Sequence, residues 1–289
     1  MMRVGLLLVA SMVLASACSA PAPPAAKLTI VPDITVRRAR FEPHTIGADV
    51  SSLSAGDRQA LDHLVAAARQ IDRVFFLQAW SRNPEFSKKL DGLEGPDAQA
   101  ARDYYRIMYG PWDRLEHFEP FVGDIPHPAG AGFYPEDMTK EEFQSWLKSH
   151  PGDEKAFTSL TTVIERKDGG LVAVPYSVRY AKELGVAAEE LRAAAAATDN
   201  ESLRRFLTSR AAAFESDDYY QSDLDWMDLD SPLEVVIGPY ETYEDGLFGY
   251  KASFEAFLCI AQPEDSRRLD KYKGELPFLE RNLPIPDEH

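Results

Sequence analysis

The stretch SPLEVVIGPYETYEDGLFGYKASFEAFL, residues 231–258, joins two strand-like runs through a segment rich in carboxylates and aromatic rings. The first run, from Leu233 to Gly238, is apolar except for Glu234, and the second alternates apolar residues on one face from Ala252 to Ile260. Such alternation is typical of a strand with one buried face. The sequence therefore predicts two strands, and the acidic segment between them is either an ordinary turn or one side of a functional site.

The composition of the 289 residues is that of a folded protein, since 45% are hydrophobic and 11% aromatic, enough to bury a core. A chain of this length holds one large or two ordinary domains. The net charge of −16 makes nucleic acids and anionic lipid surfaces poor partners, so a cationic or neutral ligand is favoured. After the N-terminus no apolar run of about 18 residues occurs, and no internal transmembrane helix is predicted.

The first 18 residues, MMRVGLLLVASMVLASAC, predict a signal peptide. One cation, Arg3, precedes an apolar run, and small residues lead to Cys18. Residues 15–18, ASAC, resemble a bacterial lipobox. That resemblance implies that Cys18 is lipidated and anchors an extracytoplasmic lipoprotein on the periplasmic side. Ser19 follows the cysteine, which resembles the sorting pattern of outer-membrane lipoproteins. Ordinary signal-peptidase cleavage near Ala17 or Ala20 is the alternative.

Residues 19–50 are predicted to form a Pro/Ala tether and an irregular lead-in, with a short extended piece at Ile34–Val36. With Cys18 lipidated, the second cysteine of the sequence, Cys259, has no disulfide partner. Because Cys259 lies in the apolar run FEAFLCI, we predict a buried, inert thiol.

From residue 51 to residue 289 the patterns predict an α+β fold, mostly helical, with a β-hairpin and a small mixed or antiparallel sheet. Residues 110–137 are expected to form a long loop held by aromatic residues and prolines. The predicted elements are Ser54–Trp80, Asp97–Met108, a helix capped by Thr139, the hairpin Thr162–Ser177, Tyr180–Ala197, a helix from Asn200 to about Phe214, and Pro263–Arg281.

The motifs of several enzyme classes are missing from the sequence. Neither G-x-S-x-G, G-x-x-x-x-G-K-S/T nor C-x-x-C occurs. The six histidines form neither H-E-x-x-H nor a pair on one helical face, so no metal ligand set is predicted. Residues 182–191 have the wrong spacing for a Nudix box. The acidic residues 217–230 fail the EF-hand spacing, which favours a solvated helix face.

Residues 237–255 contain an ordered series of positions that match a known family, and further matching blocks lie on both sides. The series is Ile237-Gly238, Glu241-Thr242-Tyr243, Asp245, Gly249 and Phe254-Glu255, and the blocks are GPWDRL (110–115), PAGAGFYPEDM (128–138), GGLVAVPYS (169–177), SDDYYQSDLDWMDLD (216–230) and NLPIPDE (282–288). Together they resemble the N-terminal half of dipeptidyl-peptidase III-like zinc metallopeptidases, in the bacterial branch described as zinc-dependent hydrolases. The resemblance starts near residue 50 and implies the partial fold of a two-lobed metallopeptidase, with residues 51–289 as its truncated N-terminal, substrate-side region.

The resemblance implies roles for three residues. Glu241 would hold the N-terminal ammonium of a peptide, and the Tyr243 hydroxyl would act catalytically by contacting the scissile carbonyl as negative charge develops. Asp245 completes the implied substrate-binding set. Two-residue spacing along a strand would place Glu241 and Tyr243 on one face. The alternative is that both residues simply end a strand at the rim of the sheet.

The resemblance also implies a part that this sequence lacks. In the family, two histidines of an H-E-x-x-x-H or H-E-x-x-H helix and a glutamate of a second helix bind zinc. These ligands follow well after the NLPIPDE segment, whereas this sequence stops at His289. We therefore expect no metal site and no cofactor in this chain, zinc being the cofactor of the complete family enzyme.

Three functions remain open. The first is the N-terminal portion of an extracytoplasmic zinc-dependent peptidase of dipeptidyl-peptidase III type, which removes short units from peptide N-termini when complete and is inactive alone. The second is a non-catalytic peptide-binding lipoprotein, alone or docked to a separately encoded zinc-binding half. A structural envelope lipoprotein is the third, and only the membrane anchor supports it.

Overall fold

The computed structural model describes residues 28–285. The predicted signal peptide and Cys18 lie outside the described residues. Within them, helices combine with three antiparallel pairs of strands, which confirms the predicted α+β class. The helices are α1 (Ile34–Ala39), α2 (Ala55–Ala79), α3 (Asn83–Asp91), α4 (Pro96–Met108), α5 (Lys140–Ser149), α6 (Glu154–Phe157), α7 (Tyr176–Arg179), α8 (Ala181–Ala197), α9 (Glu201–Ser216), α10 (Tyr220–Met227), α11 (Pro263–Lys273) and α12 (Leu276–Arg281). No helix in this part of the chain combines the length and apolar character needed to cross a membrane.

The strands are β1 (Trp112–Asp113) paired with β2 (Glu119–Pro120), β3 (Thr162–Lys167) paired with β4 (Gly170–Pro175), and β5 (Leu233–Glu241) paired with β6 (Ser253–Ile260). The predicted hairpin is the β3–β4 pair. Its turn residues Asp168 and Gly169 have φ of 51° and 80°, and an Asp-Gly pair tolerates the positive φ values that a two-residue turn requires.

The main hydrophobic core surrounds α2. Helix α8 packs along α2 and α9 packs along α8, while β6 lies against another side of α2. Apolar residues recur along α2 at three- and four-residue steps, as expected for a helix with one buried stripe. The buried members of this stripe are Ala60, Leu64, Ala67, Ile71 and Val74.

A second, smaller core lies among α1, α3, α4 and the β1–β2 pair. Phe86 and Leu90 enter it from α3, a helix that was not predicted from the sequence, and Tyr104 and Tyr105 enter it from α4. The predicted loop at residues 110–137 is therefore partly organised, because its first residues pair as β1 and β2 beside this core.

Three local predictions are wrong. Residues Ile34–Val36 begin helix α1, because Ile34 is buried in the second core and Arg37 pairs with the buried Asp113 at 2.9 Å. The predicted last helix is two helices, α11 and α12, separated at Gly274. Cys259 is exposed because it lies on the face of β6 opposite to the core.

Candidate active-site wall

A cavity of about 330 Å³ opens between α2 and the β5–β6 hairpin. Its apolar lining consists of Ala68, Ile71, Phe75, Phe254 and Ala256. Its polar lining consists of Asp72, Glu241, Tyr243, Glu244, Ser253 and Glu255. Both members of the predicted Glu-x-Tyr pair thus line one concave surface, whose floor is apolar and whose rim is acidic.

A β-bulge interrupts β5 at the edge of this cavity. Pro239 pairs with Phe254, and Glu241 pairs with Ser253, so two steps along β5 match one step along β6. Tyr240 is therefore the extra residue of the bulge.

The bulge decides which way Glu241 faces. Before it, Val235 and Ile237 are buried in the core, so odd-numbered residues of β5 face inward. After it the alternation shifts by one residue, and Glu241 joins the outer face instead. Glu255 lies on that same face, two residues from the partner of Glu241. The bulge therefore brings these two carboxylates together.

The negative charges of Glu241 and Glu255 are not compensated by positive groups among the described residues. In residues 28–285 neither carboxylate receives a hydrogen bond or an ion pair from the protein, and the 2.8 Å bond from Ser253 goes to the backbone carbonyl of Glu241. Burial raises the pKa of Glu255, and the negative charge of Glu241 raises it further. A cation between the two groups would relieve this repulsion.

The other two carboxylates of the rim have partners. The Tyr109 hydroxyl donates to Asp72, and burial together with this bond raises the pKa of Tyr109 above its ordinary value. Arg114 donates through both terminal nitrogens to Glu244, at 2.6 and 2.9 Å. Such a bidentate pair fixes geometry as well as charge. The open negative charge of the cavity is therefore that of Glu241 and Glu255.

Tyr243 lies beyond the end of β5, where the residue is 86% exposed. Because Glu241 is the last residue of β5, the two side chains do not share a strand face, and that part of the prediction is wrong. The turn that follows the strand, closed by the 3.2 Å bond from the Asp245 amide to the Thr242 carbonyl, brings Tyr243 to the cavity instead.

Asp245 does not line the cavity, in contrast to its implied substrate-binding role. Its carboxylate is 4% exposed and accepts the Tyr134 hydroxyl at 2.8 Å. It also accepts the backbone amides of residues 247, 248, 250 and 251, at 3.0, 3.0, 2.8 and 3.1 Å. Both oxygens are thus occupied, and Asp245 shapes the loop from within.

Lys251 anchors the C-terminal end of the loop between β5 and β6. Its ammonium donates to the carbonyls of Phe157 and Ser159 and to the Thr162 hydroxyl, at 2.6, 3.0 and 2.9 Å. Burial lowers the pKa of Lys251 to about 7, and the charge of Asp245 acts in the opposite direction. The loop is therefore tied to the segment that leads into β3.

No role of Glu255 or Arg114 was predicted from the sequence. The sequence signal for Glu255 was its outward position in the alternation of β6. Its proximity to Glu241, however, depends on a bulge that no local sequence pattern predicts. Arg114 belongs to the matching block GPWDRL, yet its partner Glu244 lies 130 residues further along the chain. No local pattern connects the two.

The described residues contain no group of three or more His, Cys, Asp or Glu side chains placed to hold a metal ion. The rim carboxylates therefore do not fit a zinc site. The acidic residues 217–230, which contain α10, likewise form no such group.

Several known proteins are similar to this chain. The solved structure of dipeptidyl-peptidase III from Caldithrix abyssi matches with a TM-score of 0.84 and 50% identity, over 88% of this chain and 49% of that chain. Dipeptidyl-peptidase III from Corallococcus sp. strain EGB matches with a TM-score of 0.83 and 41% identity, over 90% of this chain and 49% of that chain. Nudix hydrolase 3 of Arabidopsis thaliana is 34% identical over an alignment that covers 85% of this chain and 39% of that protein.

The chain spans about half the length of the two solved structures and 39% of the curated relative. The profile of peptidase family M49 matches residues 136–289, more than half of the chain. These matches confirm the resemblance inferred from the sequence, and the chain belongs to peptidase family M49, a family of zinc metallopeptidases.

Proposed function

We propose that this chain forms one wall of a peptidase cleft, and that the cavity between α2 and the β5–β6 hairpin binds the N-terminal ammonium of a peptide. The open carboxylates of Glu241 and Glu255 above an apolar floor carry this proposal. An α-ammonium between them would form charge-assisted hydrogen bonds worth about 1.5–3 kcal/mol. The first side chains of the peptide would cover the apolar floor.

In the complete enzyme we propose hydrolysis of the dipeptidyl-peptidase III type, which removes short units from peptide N-termini. A peptide held at Glu241 extends past Tyr243, whose hydroxyl is open to solvent. This hydroxyl donates to the scissile carbonyl as negative charge develops, a contribution of about 3–4 kcal/mol to the transition state. Polarisation of the carbonyl and activation of water are the chemistry that bound zinc would supply. The zinc would be held by polypeptide outside residues 28–285, for example a separately encoded zinc-binding half.

Isothermal titration calorimetry with tetra-alanine tests the binding site. We expect N-acetylation of this peptide to weaken binding about tenfold or more, because the acetylated end carries no charge for the carboxylates. Glu241→Gln and Glu255→Gln should each weaken binding of the unblocked peptide to a similar extent. Acidification should weaken it too, beginning at a higher pH than for an ordinary glutamate, because the pKa of Glu255 is raised.

Glu141→Gln is the matched control, since it makes the same charge change at an exposed position of α5. It should leave the affinity unchanged. Equal affinities for the unblocked and acetylated peptides would contradict the proposal, as would a loss of affinity in the control as large as that of Glu241→Gln.

A non-catalytic peptide-binding function is the second candidate. The cavity is built from α2 and the β5–β6 hairpin alone, so binding requires no other polypeptide. The two candidates differ in dipeptide release from a chromogenic dipeptidyl substrate with added zinc chloride. We expect no release by this chain alone and release once a zinc-binding half is supplied. Absence of release from the reconstituted pair would favour the binding function.

We also propose that the protein is an extracytoplasmic lipoprotein, anchored to the membrane through Cys18 on the periplasmic side. Residues 1–18 support this proposal. Cys18→Ala should move the protein from the membrane fraction to the soluble fraction, as measured by immunoblotting. A soluble wild-type protein without a lipid-modified N-terminal peptide in mass spectrometry would contradict it.

A further inference from the structure

Tyr240, the extra residue of the β5 bulge, lies against a buried arginine. The Arg210 guanidinium, contributed by α9, is 5.6 Å from the centre of the Tyr240 ring. It is 5.3 Å from each of the rings of Phe206 and Tyr219. The bulge therefore meets a planar cation that is surrounded by aromatic side chains, an arrangement favoured by cation–π attraction.

The hydrogen bonds of Arg210 do not explain its burial. The residue is 0% exposed, and one terminal nitrogen donates to Asp223 at 2.6 Å. Its Nε and Nη1 have no hydrogen-bond partner among the described residues. Burying a cation with unpartnered N–H groups is unfavourable. We therefore attribute the role of Arg210 to its contacts with the aromatic rings and with strand β5.

The backbone of β5 approaches Arg210 directly before the bulge. A Cβ atom added to Gly238 would lie 2.8 Å from Nη1 of Arg210 and 3.1 Å from the Tyr240 hydroxyl oxygen. Glycine is therefore required for this close approach. The guanidinium and the Tyr240 ring thus both lie against Gly238, and Tyr240 is the extra residue of the bulge.

We infer that Arg210 is a positioning residue that holds the β5 bulge and thereby keeps Glu241 on the face that carries Glu255. The consequence for peptide binding rests on the proposed function of that face. The placement of Glu241 beside Glu255 does not rest on it, and it can be measured separately.

The test is the pKa of Glu255, measured by NMR titration of glutamate carboxyl carbons in the full chain. Arg210→Met should fold, because Asp223 is 53% exposed and remains hydrated without its partner. If the bulge relaxes and Glu241 turns away, the pKa of Glu255 falls toward its ordinary value. Glu241→Gln gives the reference for that fall. Loss of a nearby positive charge alone would raise the pKa of Glu255 instead, so the sign separates repositioning from a direct effect of charge.

Two further variants sharpen the test. Gly238→Ala displaces the guanidinium from the strand side while keeping its charge, and the resulting repositioning of Glu241 should lower the pKa of Glu255. The added methyl lies opposite Glu255 and by burial alone would raise that pKa, so the sign again separates the two effects. Gly238→Ala also tests the positioning role of Arg210 if Arg210→Met does not fold. Arg205→Met, which removes a half-exposed arginine of the same helix, should leave the pKa of Glu255 unchanged.

We further expect Arg210→Met and Gly238→Ala to weaken binding of unblocked tetra-alanine about tenfold, as Glu241→Gln does. An unchanged or raised pKa of Glu255 in folded Arg210→Met and Gly238→Ala would overturn the inference. A lowered pKa in a protein whose wild type does not bind the peptide would uphold the positioning role and refute the proposed function instead.

Discussion

Replacing Asp245 with asparagine is expected to lower the free energy of unfolding by about 3–5 kcal/mol. The buried carboxylate accepts four backbone amides and the Tyr134 hydroxyl. An asparagine keeps one acceptor oxygen, and its NH₂ group would face donors. Several buried amides of the loop would lose their partner, and each such loss is unfavourable.

Urea denaturation followed by circular dichroism measures this change. Asp62→Asn is the matched control, because Asp62 is exposed on α2, and we expect a change within about 0.5 kcal/mol there. Peptide binding should also fail in Asp245→Asn, since the loop carries Tyr243 and Glu244. A stability loss below about 1 kcal/mol would show that the loop does not depend on this carboxylate.

Gly132→Ala is expected to lower the free energy of unfolding by about 3 kcal/mol or more. A Cβ at this position would lie 2.2 Å from the Leu77 carbonyl oxygen, 2.9 Å from the Gln78 carbonyl oxygen and 3.1 Å from the Ser81 amide nitrogen. All three atoms belong to the backbone at the end of α2, so no side-chain rotation relieves the overlap. The Gly132 amide also donates to the Gln78 carbonyl at 2.7 Å, a bond that the displacement would break.

Gly185→Ala provides a control with the opposite sign. Gly185 lies within α8, and an added Cβ would meet no atom within 4 Å. Alanine should therefore stabilise the protein by about 0.5–1 kcal/mol through helix propensity. Thermal unfolding of both variants should move the Tm in opposite directions. Equal Tm shifts in Gly132→Ala and Gly185→Ala would contradict the predicted overlap of a residue-132 Cβ with the end of α2.

Short-range patterns predicted most of the regular elements. The apolar spacing from Ser54 to Trp80 corresponds to α2, and the Asp168-Gly169 pair marks the β3–β4 turn. Helix α1 was mispredicted because β-branched residues favour extended backbone locally. Its helical state depends on burial of Ile34 and on the ion pair of Arg37 with Asp113, 76 residues away. Contacts of that range leave no local periodicity in the sequence.

The candidate site was predicted only in part, for a similar reason. The family resemblance singled out Glu241 and Tyr243, and both line the cavity, while their individual roles stay predictions. Glu255 and Arg114 act through partners on other elements. Asp245 carries the same charge as Glu241 but lies inside the loop. Residue type alone cannot separate a buried acceptor from an open carboxylate, because burial is decided by the fold.

Because of the bulge at Tyr240, the orientation of Glu241 depends on the number of residues between Ile237 and Glu241 as well as on their identity. Deleting one amino acid between Ile237 and Glu241 would keep Glu241, Tyr243 and Glu255 and still rotate the Glu241 carboxylate into the protein interior. An alignment that opens a gap there would pair the correct glutamates while concealing that one of them points the wrong way. Insertions and deletions in this short interval are therefore expected to disrupt the proposed peptide site more strongly than substitutions do.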